Sequence, residues 1–333
     1  MKSSAHIIGA GGIGIAAAAC LVRAGWDVTM IETNPAKVAA GRRNEMTLDD
    51  QSIHGAHFIH FDEWTPPRDE VVLLCTKTFD NAPILQRIAN TQTLVPIQNG
   101  YDKELEGFDH PTEAIASFVS ECSTDLLHAR LTRPGSLHVG PRRKVRSVDQ
   151  ERIHCLASAL SKGRLFPVKR VADIGPFKST KLMYNAAISP LAASAGVDNG
   201  ELLIDPPTQK LFFALLRENY SILRHAGHAL EKIGPFHPRV VMRILQTPAL
   251  PQLMGLFFRP SLRGTYCSMS PDMGSGQTEI DAYNGHLVRL AGNFPCPINT
   301  AVIDLVDRIS RERLPQARAH LQHLATSLPK GIL

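Results

Sequence analysis

The sequence predicts an α/β N-terminal domain of Rossmann type, with a mostly parallel, doubly wound sheet, followed by an all-α C-terminal domain. A glycine-rich turn near the start joins an apolar run to an alanine-rich stretch. Short apolar runs then alternate with helical stretches to about residue 170, which is the rhythm of βαβ units. Beyond about residue 175 strand-like runs nearly vanish. We therefore expect two domains, residues 1–174 and residues 175–333.

The first element is a short buried strand at residues 5–8, which breaks into Gly-Ala-Gly-Gly-Ile-Gly at residues 9–14. A G-x-G-x-x-G motif that closes a strand and opens a helix is typical of dinucleotide binding. The first glycine permits a tight turn, the second lets the backbone approach a pyrophosphate, and the third lets helix and strand pack closely. The cofactor-binding residues predicted here are Gly9, Gly11, Gly12, Ile13 and Gly14.

The second strand, at residues 26–31, ends in Glu32. A carboxylate about 20 residues beyond the glycines is placed to accept hydrogen bonds from the adenosine ribose and would repel the extra phosphate of NADP. We therefore expect NAD(H) as the cofactor. NADP(H) stays an alternative, because the nearby Arg42 or Arg43 could accept its phosphate. A second alternative is that Glu32 is a solvated loop carboxylate with no role in binding.

Further apolar runs at residues 70–75, 93–98 and 112–119 predict strands of the same sheet, since parallel strands are covered on both faces. Residues 133–136 read as a turn between strands, which makes the far edge of the sheet antiparallel. Helical periodicity then covers residues 179–195, 207–233, 279–291 and 299–328, with a break near Pro315.

Composition is that of an ordinary globular protein, with 44% hydrophobic and 20% charged residues and a net charge of +5. The densest basic run, residues 141–146, is predicted to be a solvated loop, so we expect no nucleic-acid partner. The six cysteines have no metal-ligand spacing and suit a reduced, cytoplasmic protein. No signal peptide or membrane span is expected.

Polar side chains follow two of the predicted strands, at the sheet edge where open α/β sheets bind ligands. Lys77 comes after the strand at residues 70–75, and Asn99 and Gly100 follow the strand at residues 93–98. Lys77 is therefore a candidate for cofactor contact, or else an ordinary exposed lysine. Asn99 is a candidate for orienting a ribose or a carbonyl, and the Asn-Gly pair also forms turns.

Two places in the helical domain carry polar groups as well. Lys181 and Asn185 are four residues apart and share one face of an apolar helix. A partly desolvated lysine suits proton transfer, although it could equally extend to solvent. The serine- and glycine-rich segment 267–285 is either a pocket loop or a surface loop with a helix cap.

These motifs together resemble the ketopantoate reductases, the 2-dehydropantoate 2-reductase family, over nearly the whole chain. The resemblance lies in the following segments, which occur in the family's order: Gly9 to Gly14, Lys77, residues 98–100, Lys181 to Asn185, Ser268 with Asp272, residues 278–285, and residues 295–299.

The resemblance implies roles for individual residues. Lys181 would be the general acid in reduction of a 2-oxo acid, and Glu279 would hold the nicotinamide ribose or orient that lysine. Lys77 would contact the nicotinamide end of the cofactor. The substrate oxygens would be held by Asn99, Asn185 and Ser268. It also implies a homodimer with a small-molecule substrate. The spacing of the cysteines and histidines leads us to expect no bound metal.

Three departures from the family pattern bear on specificity. Glu32 stands where the family usually has an arginine, Ser189 replaces a second asparagine, and the loop before Glu279 is about one residue short. The substrate is therefore 2-dehydropantoate or another 2-oxo acid, and an opine-type imine reductase is an alternative. A non-catalytic dinucleotide sensor is the remaining alternative.

Overall fold

The computed structural model describes residues 3–66, 68, 70–88, 93–142, 147–247, 250–329 and 331–333. The chain divides into two compact units. The first comprises Met1–Gln98 and Asp102–Ile174, and the second comprises Asn99–Tyr101 and Gly175–Leu333. The short segment around Asn99 therefore groups with the helical part of the chain.

The first unit alternates strands and helices. Its elements are β1 (Ser4–Ile8), α1 (Gly12–Arg23), β2 (Asp27–Glu32), α2 (Pro35–Arg42), β3 (Thr47–Leu48), β4 (Gln51–Ser52), β5 (Ala56–His60), β6 (Val71–Leu74), α3 (Asn81–Arg87), β7 (Thr93–Pro96), α4 (Lys103–Gly107), β8 (Thr112–Ala116), β9 (Val119–Cys122), β10 (His128–Arg133), β11 (Leu137–Pro141), α5 (Ser147–Lys162) and β12 (Val168–Arg170).

The central sheet has the order β5-β2-β1-β6-β7, and its four strand pairs are all parallel. Its side chains alternate between two cores, as a sheet covered on both faces requires. Ile7 and Leu73 belong to the core that includes α1, whereas Ile8 and Leu74 belong to the core on α3. The predicted Rossmann-type sheet is confirmed.

One strand lies elsewhere than predicted. The run at residues 112–119 forms β8, which ends at Ala116 and pairs antiparallel with β11 in a separate three-stranded sheet. A fully buried strand is a continuous apolar segment whether its partner is parallel or antiparallel, so the sequence pattern could not predict the direction of pairing. The turn at residues 133–136 joins β10 and β11, which belong to different sheets.

The second unit is helical, as predicted. Its helices are α6 (Gly175–Ala195), α7 (Pro206–His225), α8 (Pro238–Gln246), α9 (Leu250–Leu262), α10 (His286–Ala291), α11 (Pro297–Arg311) and α12 (Arg318–Ser327), with a π-helix at Asp281–Gly285.

Helix α7 ends at His225, before the predicted limit at residue 233. Gly227 adopts a φ of +78°, and the N–H of His228 donates to the carbonyl of Leu223 at 2.9 Å. A glycine with positive φ and such a bond terminate helices.

Among the described residues, no helix is both long and apolar enough to span a membrane.

Candidate functional site

Of the glycines in the turn between β1 and α1, only Gly11 has open space beside its Cα. A Cβ on Gly14 would lie 1.9 Å from the carbonyl oxygen of Gly9, and one on Gly12 would lie 2.5 Å from that of Ser120. Gly9 itself needs its φ of +99°. At Gly11, the N-cap of α1, a Cβ would meet no atom within 4 Å. The turn therefore fits a pyrophosphate approaching Gly11 at the helix N-terminus.

Glu32 ends β2 beside this turn. Its Oε2 accepts a hydrogen bond from the N–H of Ala10 at 3.0 Å, and its Oε1 accepts from the N–H groups of Thr33 at 2.8 Å and Asn34 at 3.0 Å. The carboxylate is thus held in one orientation by the backbone. Glu32 is therefore not a freely solvated loop carboxylate.

The two arginines beyond Glu32 have acidic partners of their own. Arg42 pairs with Glu63 at 2.8 Å and Arg43 pairs with Glu45 at 2.6 Å. Arg43 lies just beyond α2 and both guanidinium groups are exposed. Each arginine would have to leave a carboxylate to bind a phosphate.

Lys77 is half-buried and stands at the N-cap of a 3₁₀ turn, Thr78–Asp80, a few residues beyond the end of β6 at Leu74. The neighbouring strand end is held by Gln98, whose amide donates to the carbonyl of Thr76 at 2.9 Å and to Asn81 at 2.8 Å. The ends of β6 and β7 are therefore joined by a buried amide network in the first unit.

Asn99 and its neighbours bind to the π-helix of the second unit. Gly100 adopts a φ of +76°, and a Cβ there would lie 2.6 Å from the ring of Tyr283. The N–H of Tyr101 donates to the carbonyl of Ala282 at 2.9 Å. The Asn-Gly turn expected from the sequence is present, and it packs against the segment that carries Glu279.

Tyr283 joins Ser268 and Glu279. Both residues of the pair are buried: Tyr283 is 0% exposed and Glu279 is 4% exposed. The phenol hydroxyl donates to Oε2 of Glu279 at 3.2 Å and is also hydrogen-bonded to Ser268. Burial, and then the adjacent Glu279, raise the pKa of Tyr283 well above its ordinary value, so the phenol keeps its proton and acts as the donor to Glu279.

Helix α6 carries Lys181 and Asn185, both half-buried. The carbonyl of Ala186 accepts from Nδ2 of Asn284 at 2.9 Å, which ties this part of α6 to the π-helix. Ser189, one turn further on, is buried, and its carbonyl is 3.4 Å from Sγ of Cys267. The structure thus brings α6, the Ser268 segment and the Glu279 segment into one part of the second unit.

Two aromatic residues near these positions were not predicted. Tyr283 lies in the predicted helix at residues 279–291, four residues after Glu279, a spacing that places the two side chains on one helix face. Tyr101 follows the Asn-Gly pair, and Nζ of Lys178 lies 4.3 Å from its ring centroid. The only sequence signal was their position beside the predicted polar groups.

One cluster in the described part of the chain has ligand atoms close enough for a metal, namely Glu106, His110 and Glu113. Its space is taken by a guanidinium. Arg142 contacts Glu106 and lies 3.1 Å from Oε1 of Glu113, which is 2.8 Å from Nε2 of His110. We interpret the cluster as an ion-pair network. The rest of the predicted basic loop, residues 143–146, lies outside the described residues.

Comparison with known proteins identifies the relatives of this chain. Residues 5–144 match the family described as ketopantoate reductase PanE/ApbA, and residues 173–310 match its C-terminal domain. A 2-dehydropantoate 2-reductase from Aquifex aeolicus (strain VF5) is 24% identical over 318 residues, covering 90% of this chain and 94% of the relative.

Solved structures share the fold. A PanE/ApbA family ketopantoate reductase from Ralstonia eutropha JMP134 has a TM-score of 0.73 at 21% identity, covering 94% of this chain and 100% of that one. D-mandelate dehydrogenase with NADH and anilino(oxo)acetate has a TM-score of 0.74 at 18% identity, with coverages of 93% and 99%. A dimeric ketopantoate reductase from Staphylococcus aureus has a TM-score of 0.67 at 17% identity, with coverages of 96% and 99%. Because the two family matches together span most of both units, the chain belongs to the ketopantoate reductase family.

Proposed function

We propose that this protein reduces a 2-oxo acid to the 2-hydroxy acid with NADH. The main support is the glycine turn. Gly11 is the one glycine of this turn with open space beside it, and the carboxylate of Glu32 accepts a hydrogen bond from the Ala10 amide at 3.0 Å. Dinucleotide-binding folds place a pyrophosphate and a ribose against these two features.

The preference for NADH over NADPH follows from charge. A ribose 2′-hydroxyl can donate to the Glu32 carboxylate, whereas a 2′-phosphate would bring a second negative charge beside it. Arg42 and Arg43, the nearby cations, already pair with Glu63 and Glu45. The NADH complex of D-mandelate dehydrogenase is consistent with this preference on a similar fold.

The second unit supplies the proton and the substrate contacts. A reduced nicotinamide, when bound, supplies the hydride, which leaves negative charge on the former carbonyl oxygen. Lys181 stabilises that charge and donates the proton as general acid. Asn99, Asn185 and Ser268 hold the substrate oxygens with amide and hydroxyl donors. Glu279 and Lys77 contact the nicotinamide half of the cofactor.

The first substrate to test is 2-dehydropantoate, because the Aquifex aeolicus relative is a 2-dehydropantoate 2-reductase. The buried Ser189 favours a second candidate, another 2-oxo acid, since it leaves one amide fewer than the family pattern. Ser189→Asn should raise kcat/KM for 2-dehydropantoate if this position selects the substrate. Because asparagine is larger than serine and the position is buried, the substitution could lower stability, which thermal melting would measure.

Steady-state turnover with NADH and NADPH, across branched 2-oxo acids with and without added amines, tests the whole proposal. We expect NADH oxidation with a 2-oxo acid alone. Oxidation only when an amine is present would indicate an imine reductase. Tight cofactor binding without turnover of any acid would indicate a dinucleotide sensor.

We also propose that the protein is a homodimer. Three large apolar side chains of α9 are exposed, with Leu253 at 59%, Leu256 at 65% and Phe257 at 63%, and such a patch typically marks an interface. The dimeric relative from Staphylococcus aureus makes a second copy the expected partner. Sedimentation equilibrium should give a dimer mass that falls to the monomer mass in Leu256→Lys. A wild-type monomer would contradict this.

A further inference from the structure

We infer that Lys37 positions the glycine turn for the pyrophosphate of the dinucleotide, an inference that rests on the proposed cofactor binding. Lys37 lies on α2, outside the glycine motif, and only 7% of its surface is exposed. Buried lysines are rare unless their ammonium group has polar partners. The partner of the Lys37 ammonium group is a backbone carbonyl of the glycine turn.

Nζ of Lys37 donates to the carbonyl oxygen of Ala10 at 3.2 Å. Sγ of Cys122 lies 3.7 Å from the same oxygen and 3.8 Å from Nζ. Ala10 stands between Gly9 and Gly11, so the buried ammonium reaches the centre of the glycine turn. The contact is made by α2, the helix that follows the second strand.

The contact determines the direction of one amide. The carbonyl of Ala10 and the N–H of Gly11 belong to the same planar trans peptide and point in opposite directions. Holding the Ala10 oxygen therefore orients the N–H of Gly11, the one glycine of this turn beside which the structure leaves open space. An N–H fixed before the ligand arrives does not have to be ordered on binding.

Glu32 holds the other side of the same residue. Its Oε2 accepts from the N–H of Ala10 at 3.0 Å, so Ala10 is bonded through its N–H to an anion and through its carbonyl to a cation. Glu32 and Lys37 thus each bond to one backbone group of the same residue of the turn. Lys37 also adds a positive charge near the site of an anionic pyrophosphate, which favours its binding.

The test measures binding of ADP-ribose and NADH to Lys37→Met, with Lys103→Met as the control. Lys103 is an exposed lysine of the first unit, at the start of α4. We expect Lys37→Met to weaken both ligands about tenfold, since hydrogen bonds from charged donors are the strong ones. The value of kcat at saturating NADH should stay within about twofold. Lys103→Met should bind like the wild type.

A double variant separates positioning from simple loss of charge. If Lys37 and Glu32 act through Ala10, the losses in Lys37→Met and Glu32→Gln will be less than multiplicative when combined. If Lys37→Met does not fold, Lys37→Gln serves the same test, because its shorter neutral side chain loses the charge and the reach to Ala10. ADP-ribose affinity within about twofold of wild type in the folded variant would overturn the inference. Failure of the wild type to bind NADH would instead overturn the proposed function.

Discussion

The hydroxyl of Tyr283 donates a hydrogen bond to Oε2 of Glu279 at 3.2 Å, with both residues buried in the second unit. The same hydroxyl is bonded to Ser268. One phenol therefore links a residue proposed to contact the cofactor with one proposed to contact the substrate. Tyr283 follows Glu279 by four residues, and its N–H donates to the carbonyl of Glu279 at 3.2 Å, so the two side chains lie on one face of the helical turn.

Tyr283→Phe should impair the reaction more than the fold. The ring keeps its volume, but Glu279 and Ser268 each lose a hydrogen bond, so the free energy of unfolding should fall by about 1 kcal/mol. We expect kcat/KM for the 2-oxo acid to fall about tenfold, measured by steady-state kinetics. Tyr220→Phe, at a half-buried tyrosine of α7, is the matched control. Equal kinetics in both variants would remove Tyr283 from the site.

Lys181→Ala should abolish most turnover. Loss of the proposed general acid should lower kcat by at least about 100-fold, while the NADH dissociation constant changes only a few-fold because the glycine turn lies in the other unit. Stopped-flow kinetics and fluorescence titration measure the two quantities. Lys210→Ala, at an exposed lysine of α7, controls for loss of charge. Turnover that survives in Lys181→Ala would require a different proton donor.

Glu32→Gln should change the choice of cofactor. Removing the negative charge should weaken NADH binding about tenfold, because hydrogen bonds to charged groups contribute more than neutral ones. NADPH should bind more tightly than it does to the wild type, since the repulsion of its 2′-phosphate is gone. The ratio of kcat/KM values for the two cofactors measures the effect. A wild type that already prefers NADPH would contradict the role given to Glu32.

Stability should fall as the pH falls through the histidine range. Burial lowers the pKa of His6 below its ordinary value of 6.5, against the opposing effect of Glu70 and Asp27. Trp64 Nε1 donates to Nδ1 of His6 at 2.8 Å, a bond that needs the neutral ring. The unfolded chain therefore takes up this proton at a higher pH, and the stability contributed above about pH 6.5 is lost below it.

Urea unfolding at a series of pH values measures this loss. His6→Gln keeps an acceptor for Trp64 but does not titrate, so its stability should fall less between about pH 7 and pH 5. His323→Gln, at an exposed histidine of α12, should follow the wild type. Identical pH dependence in all three proteins would show that His6 does not contribute.

Much of the fold was predictable from local pattern, because the relevant signals are short in range. The apolar run before Gly9, the glycine spacing and the apolar run before Glu32 specify a strand–turn–helix–strand unit without reference to distant residues. The direction of β8 was not predictable, because burial on both faces leaves the same pattern in parallel and antiparallel strands. The end of α7 depended on one glycine inside an otherwise periodic stretch.

The candidate site divides in the same way. The types and order of Lys181, Asn185, Ser268 and Glu279 could be recognised as motifs, and their roles stay predictions. The hydroxyl of Tyr283 and the ammonium of Lys37 gave no such signal. Their function depends on what lies within about 3–4 Å of them, and those partners are Glu279 and Ala10.

Local sequence patterns specify the βαβ start of the chain, the helical second half and the carboxylate at the end of the second strand. Periodicity and turn chemistry act over a few residues and can be read one segment at a time. Tertiary packing holds Ala10 between Glu32 and Lys37 and brings Ser268 to the hydroxyl of Tyr283. Hydrogen bonds join atoms that are close in space, and Lys37 meets Ala10 across 27 residues of chain.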